Sequence, residues 1–307
     1  LVKADGIDIT YLNLSVEEIF YRFTKFQEWD VSEMSFGKYA SLLSQNSEAM
    51  SAIPVFPSRA FRLSSIYVRL DAGIKKPQDL AGKRVGIPEW AQTAAVYTRG
   101  YLMHDAGVPL SDIDWYQAGV NEPGRVEKVD LRLPQGVRYT SVPTRSLSEM
   151  LSAGELDAVM SARPPAAFLQ RQPNIGRLFP DFITEEKAHW RKTGIFPIMH
   201  VVAIRRALLQ RHPWLAMNLF KAFEEAKKRS LARVLDVTAS QLPIPWGFEY
   251  AAQTQAMFGD DFWPYGIEPN RSTLTAFLRY AWEQGVCHRQ LTAEELFPAE
   301  VQSSFRV

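Results

Sequence analysis

From Gly6 to about residue 204, short runs of β-branched and aromatic residues alternate with stretches of helical period, and beyond that the pattern is almost wholly helical. Strands that alternate with helices line up parallel, so the chain reads as α/β. A long apolar run, IFPIMHVVAIR at residues 195–205, comes late and precedes a C-terminal helical wrap. This order suggests a chain that leaves one lobe near residue 80, builds a second and returns near residue 200. The expected division is residues 1–79 with 201–307 in one lobe and residues 80–200 in the other. Two lobes joined by two crossovers leave a cleft, a favoured place for a ligand.

Composition narrows the class. With 307 residues, 46% hydrophobic and 22% charged, the chain has ordinary globular usage and length for about two domains. A net charge of +1 from 35 basic and 34 acidic residues gives no global signal for nucleic acid or an anionic membrane. One cysteine, Cys287, excludes an intrachain disulfide and a thiolate metal cluster. The five histidines have no H-x-H or H-E-x-x-H spacing, so neither metal nor cofactor is expected. No run of 18 apolar residues occurs, and the opening LVKADGIDIT reads as neither a signal peptide nor a membrane span. The compartment stays open, cytoplasmic or periplasmic.

Residues 6–14 alternate Ile7, Ile9 and Tyr11 with polar neighbours and predict a strand. Ser15 and Glu18 then have capping-box spacing ahead of a helix carrying Ile19, Phe20, Phe23 and Phe26. A strand at 29–34 runs into a helix at Ser35, and that junction could present backbone N–H groups to an anion or simply be a helix cap. The stretch IPVFPSRAFRLSSIYV, residues 53–68, places Arg59 and Arg62 with Ser58, Ser64 and Ser65 in a segment otherwise suited to buried strand. Pro54 and Pro57 split it into two extended pieces around an irregular turn. Its arginines fit an anion site at strand ends, or an exposed edge strand.

A strand at 84–87 leads to a second small-residue junction, Glu89, Trp90 and Thr93, opening a helix that runs to Gly107. Residues 118–142 read as a long loop or hairpin excursion. Arg163 leaves the carboxyl end of the strand near 158–161, as a cap, a salt-bridge residue or part of a site. His200 is the single polar residue inside its apolar strand, a core histidine or an acid. Two loops rich in proline and aromatics, 243–247 and 261–271, could wall a cleft, Trp263 and Tyr265 among them.

The segments IPVFPSRAFRLSSIYV, GKRVGIPEWAQTAAVYTRGYL, NEPGRVEK, GELDAVMSARPP, TGIFPIMHVVAIRR, HPWLAMNLFKAF and DFWPYGIEPNR, in this order, resemble the 4,5-dihydroxyphthalate decarboxylase family. The resemblance runs from about Gly6 to the C-terminus. It implies the two-lobed type II periplasmic-binding-protein-like fold and conversion of 4,5-dihydroxyphthalate, an aromatic dicarboxylate, to protocatechuate without a cofactor. On that reading Arg59, Arg62 and Arg163 clamp carboxylates, with Ser58, Ser64 and Thr93 as neutral donors and Trp90, Trp263 and Tyr265 at the cleft wall. His200 is the expected acid, and Glu89 the group accepting from a ring hydroxyl. The family pattern has a histidine where this chain has Leu63, and a further strand and loop ahead of Gly6. The competing class is a non-catalytic binding protein for an organic acid, using the same cleft. Exposed strand edges and aromatic loops are compatible with a homodimer.

Overall fold

The computed structural model describes residues 2–239 and 241–303. Among the described residues nine strands fall into two sheets. The smaller contains β1 (Val31–Ser35), β9 (His200–Arg205) and β2 (Met50–Ile53), with β9 in the middle and antiparallel to both neighbours. The larger has six strands. In spatial order they are β6 (Arg138–Ser146), β5 (Asp114–Gly119), β4 (Arg84–Ile87), β7 (Ala158–Met160), β3 (Ile66–Arg69) and β8 (Ile175–Arg177). Strands β6, β5, β4 and β7 are parallel, as the alternation predicts, and β3 runs against β7 and β8. Because β3 pairs in the larger sheet, the chain changes sheets between Ile53 and Ile66.

The two crossing segments hold each other. Arg59 bridges Ile198, the Met199 N–H donates to the Ser58 carbonyl at 2.9 Å, and the Ala60 N–H donates to the Pro197 carbonyl at 3.2 Å. Pro54 and Pro57 keep this stretch from becoming one strand, since neither can donate to a ladder.

Three helices matter for the site. Helix α1 (Val16–Phe26) begins after Ser15, with Glu17 and Glu18 in its first turn where they suit the helix dipole. It buries Phe23 alone among its residues, against β1 and the ring of Trp29. The expected capping box does not form, because Glu18 is turned to Arg22 at 2.7 Å. Helix α2 (Phe36–Ser44) follows β1 directly. Helix α3 (Thr93–His104) follows the β4 turn and ends at His104, three residues short of Gly107, which takes a left-handed φ of +67°.

One apolar core runs through both sheets, from Met34, Ala52 and Ala203 to Val85, Trp115 and Met160. Helix α2 meets the start of α3 closely enough that a Cβ on Gly37 would stand 2.6 Å from the Ala91 carbonyl oxygen. The excursion after β5 also ties the halves together. Its Arg132 N–H donates to the Gly285 carbonyl at 2.8 Å, and His288 Nε2 lies 3.0 Å from the Asp130 carbonyl. Gly285 is required there, having a φ of +71° and no room for a Cβ, which would fall 1.9 Å from the Arg132 oxygen.

Two sequence expectations change. Residues 6–14 form no strand and pair with none among the described residues, leaving Ile9, Tyr11 and Leu12 exposed. Alternation describes a half-buried strand only where a partner supplies the ladder. Residues 138–146, assigned in part to loop, form strand β6 at the sheet edge. Its exposed, polar sequence with Pro143 suits an edge, and hides the strand from a hydrophobic pattern.

Candidate active site

Strands β1 and β9 pair with Ser35 opposite His200 and Glu33 opposite Val202. Paired residues, and residues two apart on a strand, share a face, so Glu33, Ser35 and His200 project together. Glu33 Oε1 lies 2.5 Å from His200 Nδ1. A carboxylate at Nδ1 fixes the imidazole and leaves Nε2 as the nitrogen that can exchange a proton with a bound molecule. The His200 side chain keeps 19% of its surface accessible, and Phe20 of α1 meets its ring edge-on with centroids 4.9 Å apart.

Ser35 continues this wall. Its Oγ is 3.1 Å from Thr93 Oγ1, which also accepts the Gly37 N–H at 2.9 Å. The Phe36 N–H donates to the Met199 carbonyl at 3.0 Å. The first junction therefore spends these N–H groups inside the protein. At the second, Glu127 does the same work, accepting the Ala91 N–H at 3.1 Å. That junction does bind an anion, and the anion is a side chain of the chain itself. Burial, with Glu89 close by, pushes the Glu127 carboxyl above the usual range.

Glu89 is fully buried, 0% exposed, and ringed by cations: Arg125 Nε at 2.7 Å, Lys38 Nζ at 3.0 Å and Lys128 Nζ at 3.5 Å. Burial alone would raise its pKa, but Lys38, Arg125 and Lys128 outweigh it and the net shift is downward. Arg125 faces outward as well. Its Nη1 is 2.9 Å from Glu17 Oε1 of α1, and Arg163 Nη2 is 3.9 Å from the same oxygen.

Of the residues expected at the site, His200, Thr93, Glu89 and Arg163 come together around these walls, and Ser58 joins them through its carbonyl, which accepts the His200 N–H at 3.3 Å. The others are held elsewhere. Arg59 donates to the carbonyls of Phe196 at 2.7 Å and Pro264 at 3.1 Å and stacks on the Phe196 ring at 4.1 Å. Burial without a carboxylate partner lowers its pKa to about 10. Trp263 belongs to the same cluster, donating Nε1–H to the Phe56 carbonyl at 2.8 Å, and the Tyr265 ring lies 6.3 Å from that of Phe56. Here the prolines and aromatics of residues 261–271 pack a loop onto the crossing segments. Arg62 and Leu63 line a small separate pocket with Tyr97, Tyr101, Glu186 and His189. The Ser64 N–H donates to Glu186 at 3.1 Å. Trp90 is a core residue, its Nε1–H on the Gln284 carbonyl at 2.8 Å and its ring 3.9 Å from the Arg99 guanidinium.

Glu33, Ser35, Lys38, Arg125 and Glu17 were not singled out as individual site residues by sequence reasoning. Glu33 had a usable signal, being two residues before Ser35 on a strand that ends at a helix. Arg125 had none, since it lies in an irregular excursion whose path no periodicity fixes.

The chain is 38% identical over 307 residues to a 4,5-dihydroxyphthalate decarboxylase of Comamonas testosteroni, covering 100% of this chain and 93% of the relative. It is 42% identical over 181 residues to a 4,5-dihydroxyphthalate decarboxylase of Pseudomonas putida, covering 59% of this chain and 70% of that one. No family model matches. Among solved structures, a mutant of DSZB in complex with biphenyl-2-sulfinic acid superposes with a TM-score of 0.52 at 17% identity, over 92% of this chain and 86% of that one. The periplasmic aliphatic sulphonate binding protein SsuA from Escherichia coli gives 0.51 at 12% identity, over 92% and 84%. At such identities these two likenesses concern the fold, a two-lobed periplasmic-binding-protein-like α/β architecture.

Proposed function

Since the chain belongs to the 4,5-dihydroxyphthalate decarboxylase family, we propose that it removes one carboxylate from 4,5-dihydroxyphthalate to give protocatechuate and carbon dioxide. The observation that carries this reading is the 38% identity to a decarboxylase across all of the chain. The site supplies the chemistry. A hydroxyl para to the departing carboxylate feeds electron density into the ring, so the carbon bearing that carboxylate can take a proton from His200 Nε2. As the hydroxyl releases its proton to solvent, a dienone-like intermediate forms. The carbon–carbon bond then breaks, its electron pair restores the aromatic ring, carbon dioxide leaves, and the oxygen and His200 each regain a proton from solvent.

Glu33 positions the imidazole and balances the imidazolium before transfer. Arg163 offers a forked donor to the carboxylate. Glu89 takes a different role from acceptor of a hydroxyl proton: with both its burial and its three cations, it holds Arg125 and Lys38 in place. The two lobes of this proposal are residues 1–79 with 201–307 and residues 80–200, with β3 lent to the second lobe's sheet. Cytoplasmic placement belongs to the same reading, to be checked by fractionation, and homodimer formation is checked by light scattering. Among the described residues no helix is long and apolar enough to cross a membrane.

The test incubates the protein with 4,5-dihydroxyphthalate and follows carbon dioxide and protocatechuate, with calorimetry alongside. Turnover is expected. Binding without product would replace the enzyme with a solute-binding protein, and neither would point to another ligand.

A further inference from the structure

Arg125 has two differently situated ends. Its Nε side rests on Glu89, which is fully buried and fixed by two lysines. Its Nη1 side points to Glu17, whose side chain is 49% exposed. Arg163, 65% exposed, reaches toward the same Glu17 oxygen and forms no other ion pair among the described residues. One carboxylate oxygen thus accepts from Arg125 and lies within ion-pair reach of Arg163, on the helix whose Phe20 meets His200. One guanidinium is anchored from behind and the other is free to follow its partner.

Glu17 sits on a lightly held helix. Phe23 is the single buried residue of α1, and Glu17 and Phe20, three apart, lie on one face of it. That face puts Glu17 on the arginines and Phe20 on the His200 ring. A half-exposed ion pair of this kind contributes little to stability, whereas a carboxylate received by two forked donors in a partly dry cleft is bound well.

We propose that Arg125 and Arg163 form the subsite for a carboxylate of the substrate, and that Glu17 occupies it as a stand-in when no ligand is bound. Helix α1 is then a latch. An incoming carboxylate displaces Glu17, and the same movement withdraws Phe20 from His200 and opens the imidazole to the ring. The carboxylate retained in the product is the one this subsite takes, because the departing one must lie at the dyad. The inference rests on the decarboxylase reading for the identity of the ligand, but not for the anion subsite.

Phthalate, which has both carboxylates and no hydroxyl to drive decarboxylation, separates the two. Its Kd is measured by calorimetry for the parent, Glu17→Gln, Arg163→Gln and Glu18→Gln, the last removing a neighbouring carboxylate that is paired with Arg22 instead. Glu17→Gln is expected to tighten phthalate about tenfold, Arg163→Gln to weaken it about tenfold, and Glu18→Gln to leave it within twofold. A Glu17→Gln value within twofold of the parent, or an equal gain in Glu18→Gln, overturns the latch. Arg163 is so exposed that its replacement leaves the fold intact, and circular dichroism of each variant verifies this. If Glu17→Gln tightens phthalate while the parent releases no carbon dioxide from 4,5-dihydroxyphthalate, the subsite stands and the decarboxylase reading falls. Carbon dioxide release with unchanged phthalate affinities gives the reverse.

Discussion

Glu33 and His200, far apart in sequence, meet at 2.5 Å across the pairing of β1 with β9. This contact exists only because the last strand of the smaller sheet inserts between the first two, bringing together two residues 167 apart in the chain. On the proposed mechanism, replacing His200 with Gln is expected to lower kcat by roughly 10² to 10⁴ while phthalate still binds. Glu33→Gln keeps the imidazole but not its counter-charge. It should lower kcat less and move the pH–rate profile, which turnover across pH 5–9 would reveal; an unchanged profile would remove Glu33 from the mechanism.

Glu89 gives a stability prediction with a definite sign. Its carboxyl titrates below the ordinary 4.5 in the folded protein, so it contributes stability above about pH 4.5 that is lost as pH falls through the lower folded value. Glu89→Gln leaves Lys38, Arg125 and Lys128 without their buried counter-charge and is expected to cost about 3–5 kcal/mol at neutral pH. Urea midpoints of parent and variant should converge as pH falls from 4.5 through the lower folded value. Glu127 titrates in the opposite sense, its raised pKa adding stability at low pH that fades as pH rises through the folded value, which is why the comparison needs the variant. A gap at neutral pH no larger than that of an exposed Glu→Gln change would contradict an ionised, charge-paired Glu89.

Arg59 is assigned by its contacts to holding residues 262–266 against the crossing segments. Arg59→Met takes the Arg59 donor from the Phe196 carbonyl and leaves the Pro264 carbonyl to Asn270, whose Nδ2 donates to it at 2.9 Å, a loss of about 1–3 kcal/mol. The expected result is a lower Tm with kcat of the folded protein near the parent value. Loss of phthalate binding at full stability would instead make Arg59 part of the ligand site.

Gly37 allows α2 and α3 to approach. Gly37→Ala drives a methyl group against the Ala91 carbonyl, and overpacking of this kind costs about 1–3 kcal/mol. Because the same contact aligns Thr93 with Ser35, phthalate affinity should fall with stability; a drop in Tm without a change in affinity would detach that alignment from binding.

The parallel arrangement of β4, β5 and β7, the late apolar strand and the helical C-terminus were legible because each rests on periodicity that burial imposes directly. Strand β6 was not, since an exposed edge has no buried face to pattern. The site divides in the same way. His200 stands out as a polar residue in an apolar strand, and Thr93 and Glu89 as the opening of a helix after a strand. Arg59 and Arg62 stand out equally in sequence, yet one ties down a loop and the other faces a different pocket. A guanidinium in an apolar segment signals that something must satisfy it, and backbone carbonyls serve as well as a ligand. Arg125 and Glu17 depend on how an irregular loop and a lightly anchored helix settle against each other, which no local pattern records.

The bond from Arg132 to Gly285 and those from Trp90 to the Gln284 carbonyl at 2.8 Å and from Arg99 to the Gln284 side chain at 2.9 Å join the halves of the molecule. Swinging the halves apart would hydrate an indole and a guanidinium that are fully buried. The entropy of bringing the walls together is therefore settled during synthesis and folding, once per molecule rather than once per turnover. A transport receptor announces its cargo by changing outline. On the latch proposed above, access to the site falls to one short helix.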